Sequence, residues 1–552
     1  VRVISVTAIR RVCSVVICGA VLSGVNAQVP RVRERIGVPQ DWSHYRLVVH
    51  GDVAKQHPEL AAKEPRFNHA FLQQVRARNW SGTLAVSNAR TDLAPAAEQQ
   101  RDWSVPLGTS ARVATGMFPA KYSFDIAAPP DCANDFVVFG ILLAGVTGGQ
   151  GNMIAFNNLY AGPLGLCGTA PSVMFSYNVT TATGGRVLTS PSLSQDGTKI
   201  AFVESTTTSS IFHVLKWAKG AGNGTSPTVS AKPGTGNTAT LSSITYAAAN
   251  NTRSSPWIDY ANDTAYVGAD NGRVYKFTGV FKGTPTLAGA PWPVLIKNNR
   301  RLTSPVFDRL TNNIFVGDAS GGLYQYNVVT QALNRLDVST PQQINANIID
   351  TPLVDPFNGT VFATSSNDGT SAVLVEADTT SLAQLARVRI GQGSSGGTVV
   401  NLYDGAFSDS YFTSPGSGQM LVCGTGPADV TPWLYTLNFT GRVVNTAPVS
   451  QFQIRNSTRA RCSPITEFFN PHLSGGTDYF FWGVSFDCNG ANSSGCVMSR
   501  TGTGASDSLT EAGGTSGIVV DNISLAKEAS SIYFTSQRLP FQAVKALQNG
   551  LN

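Results

Sequence analysis

The hydrophobic and polar positions of this chain fall into a figure that repeats. The stretch Ser190–Ser205, "SPSLSQDGTKIAFVES", holds an apolar run, a turn at Asp196-Gly197 and a second run rich in β-branched and aromatic residues. Alternating apolar positions closed by Asp, Asn or Gly predict two antiparallel strands joined by a tight turn. The figure returns as "SSPWIDYANDTAYVGADNGRVYKFTG" from Ser254, "TSPVFDRLTNNIFVGDASGGLYQYN" from Thr303 and "DTPLVDPFNGTVFATSSNDGTSAVLVEA" from Asp350. Looser copies start at Tyr403, Cys462 and Ser516, so that successive units, counted from Thr189, begin 47 to 65 residues apart.

Each unit reads as strand, turn, strand, Gly turn, third strand, with a less regular fourth run such as "APWPVLI" before the next unit. Four antiparallel strands repeated at this period predict an all-β chain folded as a single β-propeller. The last unit shows two evident strands, "SGIVVDN" and "SSIYFTS". "SGTLAVSNA" from Ser81 resembles a third strand and "RDWSVPLG" from Arg101 a fourth, so N-terminal strands are expected to complete the C-terminal blade and remove an exposed edge. This predicts a propeller over 81–540 with a C-terminal tail at 541–552. The blade number is eight, or seven if Ser81–Gly108 lies outside the ring.

The motif "LSQDGTKIAF" is similar to the WD40-like repeat of TolB-type propellers, and "AYVGADNGRVYKF" and "IFVGDASGGLYQY" resemble the repeats of quinoprotein-type propellers. "PQDWSHY", "FPAKYSFD", "NDFVVFG" and "TEFFNP" together look like a group of exported bacterial propellers. The resemblance implies the fold and export, and no particular reaction.

Export is also read from the first residues. Basic Arg2, Arg10 and Arg11 precede a short apolar run, Val12–Leu22, and the small-residue exit Val25-Asn26-Ala27. That order is a secretory signal over 1–27 with cleavage after Ala27, and its apolar run is too short for a permanent bilayer span. Cys18 is not read as a lipid attachment site, because bulky Ile17 precedes it. Valine in first place reads as a translated GTG start, which points to a bacterial gene. The expected location is therefore secreted, periplasmic or cell-surface.

Charged residues make up only 13 % of the chain, about half the usual share. The formal charge of +6 falls to +3 once the three leader arginines leave, and residues 28–78 carry nine Arg or Lys against five Asp or Glu. The remaining body is close to neutral, which argues against nucleic acid as a partner. Six cysteines remain after cleavage, an even number that suits disulfides in an oxidising compartment. Nearest-neighbour pairing joins Cys132 to Cys167, Cys423 to Cys462 and Cys488 to Cys496. Metal ligation by these thiols is not expected without C-x-x-C spacing.

Residues 28–80 read as an N-terminal arm with a short helix at Pro65–Ala77, whose Phe67, Phe71, Leu72 and Val75 share a face. The arm is expected to pack on the ring, with His44, His50, His57 and His69 at its surface. His213 belongs to a blade strand, and His472 completes the set.

The candidate motifs for chemistry have plain structural readings. Gly391, Gly393 and Gly396 fit G-x-G-x-x-G, and Gly393, Ser395 and Gly397 fit G-x-S-x-G, but a helix should follow both and "GTVVNLY" does not form one. Asp196 is a turn residue. Quinoprotein dehydrogenases carry an adjacent Cys pair that this chain lacks, and the sialidase Asp box is not met. Calcium is the one ion the turns suggest, at Asp270, Asp318 or Asp368, without the twelve-residue spacing of a calcium loop. Trp257, Trp292, Trp433 and Trp482 are candidate stacking surfaces, though propeller aromatics mostly fill gaps between blades. No catalytic, cofactor-binding or metal residue is assigned. The expected function is an exported module that binds a protein or a glycan. The alternative is a secreted polysaccharide lyase, glycosidase or oxidoreductase with polar groups converging in the central channel.

Overall fold

Each repeat closes into one small antiparallel sheet, and eight such sheets make up the ring. The computed structural model describes residues 37–50, 64–66, 100–125, 129–162, 165–222, 224, 226–339, 347–394, 400–470, 476–488, 494–501, 506–521 and 531–547. The expected leader (1–27), the strand at Ser81, all but the first residues of the Pro65–Ala77 helix, and His57, His69 and His472 lie outside them. Among the described residues no helix is long and apolar enough to cross a membrane.

Blades are numbered in chain order, from the sheet that holds Ala120–Ser123 as blade 1 to the closing sheet that holds Val519–Asp521 as blade 8, and blade 4 shows the plan. Val306–Asp308, Asn313–Gly317, Gly322–Asn327 and Leu333–Asp337 pair in chain order. The second strand is buried at every position and the fourth is mostly exposed. The inner strands are thus covered on both faces by neighbouring blades, and read as continuous apolar runs. Aromatic side chains fill the seams, as where Phe212 of blade 2 stacks on Phe277 of blade 3 with centroids 4.1 Å apart.

The Thr/Ser-Ser-Pro opening of the units has a structural cause. Its first hydroxyl accepts the N–H at the end of the blade's own second strand: Gly268 N donates to Ser254 Oγ (2.7 Å) and Gly317 N to Thr303 Oγ1 (2.9 Å). Its second hydroxyl accepts an N–H from the preceding blade. Phe118 N donates to Ser190 Oγ, Ser190 N to Ser255 Oγ and Ser255 N to Ser304 Oγ, at 2.8–2.9 Å. One motif therefore ties each innermost strand to its own sheet and to the next blade. Asp196 is confirmed as a turn residue: its carboxylate accepts from Ser194, and from the backbone and hydroxyl of Thr198, while Gly197 adopts φ +70°.

The ring closes with one N-terminal strand. Gln100–Pro106 pairs with Gln542–Leu547, which pairs with Ser531–Thr535, which pairs with Val519–Asp521. The fourth strand of the closing blade is thus "QRDWSVP", as expected, but the third is Gln542–Leu547, in the segment read as a tail. In blade 6 a short helix, Asp409–Thr413, interrupts the expected strand–turn–strand, and Tyr411 stacks on Phe407 at 4.0 Å. Three disulfides join Cys132–Cys167, Cys423–Cys462 and Cys488–Cys496, the nearest-neighbour pattern. Such bridges belong to an oxidising compartment.

Candidate functional site

The innermost strands of a propeller surround a central channel, and here the chain itself enters it. Val38–Gln40 adds to the inner edge of blade 1, antiparallel to Ala120–Ser123. Asp41 then caps a 3-10 turn at Trp42–Tyr45, accepting from Ser43 N at 3.0 Å. Trp42 Nε1 donates to Ser192 Oγ of blade 2 (3.0 Å), and its ring meets Trp257 of blade 3 edge-on at 5.9 Å. Tyr45 stacks on Phe118 near blade 1, and Val520 N of blade 8 donates to its hydroxyl. Arg46 reaches Asp350, with Nη2 2.8 Å from Oδ1 and 2.7 Å from Oδ2. The segment leaves along blade 5, where Val48 N donates to Val354 O and His50 Nε2 lies 2.8 Å from Asp355 Oδ2. Residues 37–50 therefore touch blades 1, 2, 3, 5 and 8 and fill the middle of the ring.

This corrects the expected arm. Its segment 37–50 runs through the channel, and His44 and His50 are not surface residues: their side chains are 7 % and 10 % exposed. Past the channel, Arg66 lays its guanidinium over Trp257 at 3.9 Å. Trp257 is thereby covered from two sides. Trp482 is fully buried, Trp292 packs against Tyr266 and Tyr326, and Trp433 donates Nε1–H to Thr431 Oγ1. The tryptophans serve packing more than stacking surfaces. The turn carboxylates are occupied by their own loops. Asp318 accepts from Ser320, Gly322 and Tyr324, and Asp368 from Thr370 and Ser371. Gly391 is the last residue but one of the fourth strand of blade 5, at φ +118°, where a Cβ would collide with Thr425 O. That glycine serves a close backbone approach, and Ser395, Gly396 and Gly397 lie outside the described residues. His213 is held inside blade 2 by Glu204 (2.8 Å) and Ser243 (2.9 Å). Burial pushes the Glu204 carboxyl up, but bonds from His213 and Thr181 outweigh it and leave the group below its ordinary range.

Beneath the mouth of the channel, two carboxyls share one cation. Asp404 N donates to Asp350 Oδ2 (2.9 Å), and Thr364 N donates to Asp404 Oδ1 (2.8 Å). Burial, and then the Asp350 charge, push Asp404 up to about 8, so it holds its proton at neutral pH. Asp350 is raised too, by burial, against the pull of Arg46.

Above this pair a recess opens, lined among others by Trp42, Arg46, Met117, Arg253, Arg301 and Tyr403. Its water-accessible volume of about 70 Å³ is room for several waters. Arg253 stands here with Arg301, Arg186 and Arg112 near enough to act on its charge. Burial and these like charges lower its affinity for its proton, while the Tyr403 hydroxyl works the other way. No carboxylate among the described residues forms an ion pair with Arg112, Arg186, Arg253 or Arg301. Asp270 is near enough to act on Arg301, and its own oxygens accept from Asn251 N and Thr252 Oγ1.

The near-neutral body thus hides a local basic cluster that overall charge averages away. The signal for it is in the repeat. "RVLTSP", "RSSP", "RLTSP" and "RCSP" place Arg186, Arg253, Arg301 and Arg461 shortly before a Ser-Pro pair. Each stands where the chain crosses from one blade to the next innermost strand, so the repeat carries it to the rim. Arg461 turns onto the Thr458 and Ala460 carbonyls, and the others are left to the mouth.

No family model matches the chain, and no curated protein matches it in sequence. Solved structures match it in shape. The crystal structure of Saccharomyces cerevisiae Sqt1 superposes with a TM-score of 0.51 at 12 % identity, covering 82 % of this chain and 100 % of Sqt1. BamB from Moraxella catarrhalis covers 81 % of this chain and 99 % of its own at 11 % identity, with a TM-score of 0.43. Identities this low speak for the fold alone. On strand order, closure and the likeness in shape to Sqt1, the chain is an eight-bladed β-propeller.

Proposed function

We propose that this protein is an exported binding module that recognises a protein or a glycan through the loops around its channel mouth, and that it carries no catalytic activity. The observation that supports this reading is the filled channel. Carboxylates, Arg and Tyr do converge there, the arrangement expected of an enzyme, but Arg46 and Asp350 are spent on each other and Trp42 and Tyr45 take up part of the channel. What stays open to solvent is the rim, a rigid ring of loops of the kind propellers present to partners. Its disulfides and the leader-like first residues fit action outside the cytoplasm.

The test is capture and mapping. The purified mature protein is screened on a glycan array and chemically cross-linked to exported proteins, and the cross-linked residues are read by mass spectrometry. The expected result is a saturable ligand whose cross-links or protection fall on the loops that carry Arg186, Arg253 and Arg301. Turnover of a polysaccharide, or a quinone absorbance band in the purified protein, would replace this reading with the channel enzyme.

A further inference from the structure

We infer that the mouth of the channel is a binding site for a tetrahedral oxyanion group, phosphate or sulfate, held by Arg253 and Arg301 with Arg112 and Arg186 around them. This rests on the mouth being a recognition surface and names the chemistry it selects. Four observations lead to it. Both central arginines line the recess. Arg112, Arg186 and Arg253 are exposed and Arg301 is half-buried, and none of the four has an ion-pair partner among the described residues, so their guanidinium groups are available to a ligand. Of the nearby carboxyls, Asp350 lines the recess but is engaged by Arg46, and burial with the Asp350 charge drives Asp404 toward its neutral form. The recess has room for an anionic group between the two central arginines.

Like charges held together repel, Asp270 offsets this only at Arg301, and the cost is recovered when an anion arrives. Guanidinium forks donate paired N–H groups to oxyanions, and in a recess partly shielded from water those charge-assisted bonds strengthen. A neutral ligand would leave the repulsion in place. The group can reach the site as a free ion or on a polymer.

The experiment uses the full mature protein and inorganic phosphate and inorganic sulfate, each titrated against sodium chloride at matched ionic strength, with binding read by calorimetry and thermal shift. The expected result is saturable binding that chloride does not reproduce. Arg253→Gln with Arg301→Gln weakens it at least tenfold while leaving the anion-free melting temperature near that of the wild type. Lys282→Gln with Arg335→Gln, the same charge removed away from the mouth, leaves the affinity unchanged. Dextran sulfate that displaces the small ion where dextran does not assigns the group to a polymer. Displacement by neither assigns it to a free ion. Absence of saturable binding by the wild type, or equal affinity in the mouth variant, overturns the inference. If the anions fail while mapped capture of a partner persists, the anion site falls and the binding-module reading stands.

Discussion

Glu376 sits fully buried in the third strand of blade 5, with Val444 N donating to Oε2 at 2.7 Å and no partner for Oε1. Burial raises its carboxyl from 4.5 to about 7, against the pull of that one bond. Below pH 4.5 the folded and unfolded chains both hold the proton, and the group adds no pH dependence. Between pH 4.5 and 7 the folded state keeps a proton the unfolded state releases, so stability falls as pH rises. A shift of this size is worth about 3 kcal/mol above pH 7. Glu376→Gln should therefore stabilise the protein by about 1–3 kcal/mol at pH 8 and by nothing at pH 4. Denaturant melts at the two pH values check this; an equal effect at both would mean the carboxyl is not held neutral. At this scale the sequence was informative where a residue's role is local. Asp196 is legible as a turn residue because its partners lie within two positions. Arg253 was not legible as a rim residue from charge counting, because the acids that balance it in the sum stand elsewhere on the ring.

The elements show the same division. Strands with alternating or continuous apolar patterns were legible, since the pattern reports which faces are covered. Gln542–Leu547, "QAVKAL", was not, because Ala, Lys and Gln are weak strand formers and only the backbone partners on both sides hold it extended. Its Lys545 Nζ lies 2.5 Å from Asp102 Oδ2 with both side chains fully buried, which links the closing strand to its N-terminal neighbour. Lys545→Met strands the Asp102 charge and should cost about 3–5 kcal/mol. Adding Asp102→Leu removes the uncompensated charge and should restore most of that loss, as chemical denaturation of the single and double variants will show. A double variant no more stable than the single would mean the pair does not bridge the closure. The channel segment was illegible for a different reason. "VPQDWSHYRLVVH" has no repeat signature, and its partners Ser192, Asp350 and Val354 lie at least 140 residues away.

For the whole molecule, the segment in the channel favours the proposed binding reading over the channel enzyme. An open channel lined by Asp350, Asp404, Tyr403 and Arg253 would be a polar cavity suited to chemistry. With residues 37–50 inside, Asp350 anchors Arg46 of the chain's own segment, and the proposed recognition surface is the rim. Fold and disulfide pattern could be read from sequence because both repeat or neighbour one another along the chain. The proposed binding surface could not, because Arg186, Arg253 and Arg301 come from separate crossings between blades. The most direct test is amide hydrogen exchange of the full mature protein, followed at peptides covering 37–50. The account predicts that the amides of Gln40, Trp42 and Val48 are protected to the same degree as the inner strands Asn313–Gly317 and Thr360–Ser365, and open only with them. Exchange at the rate of an unstructured arm would mean that the channel is open, and the binding-module reading would lose its support.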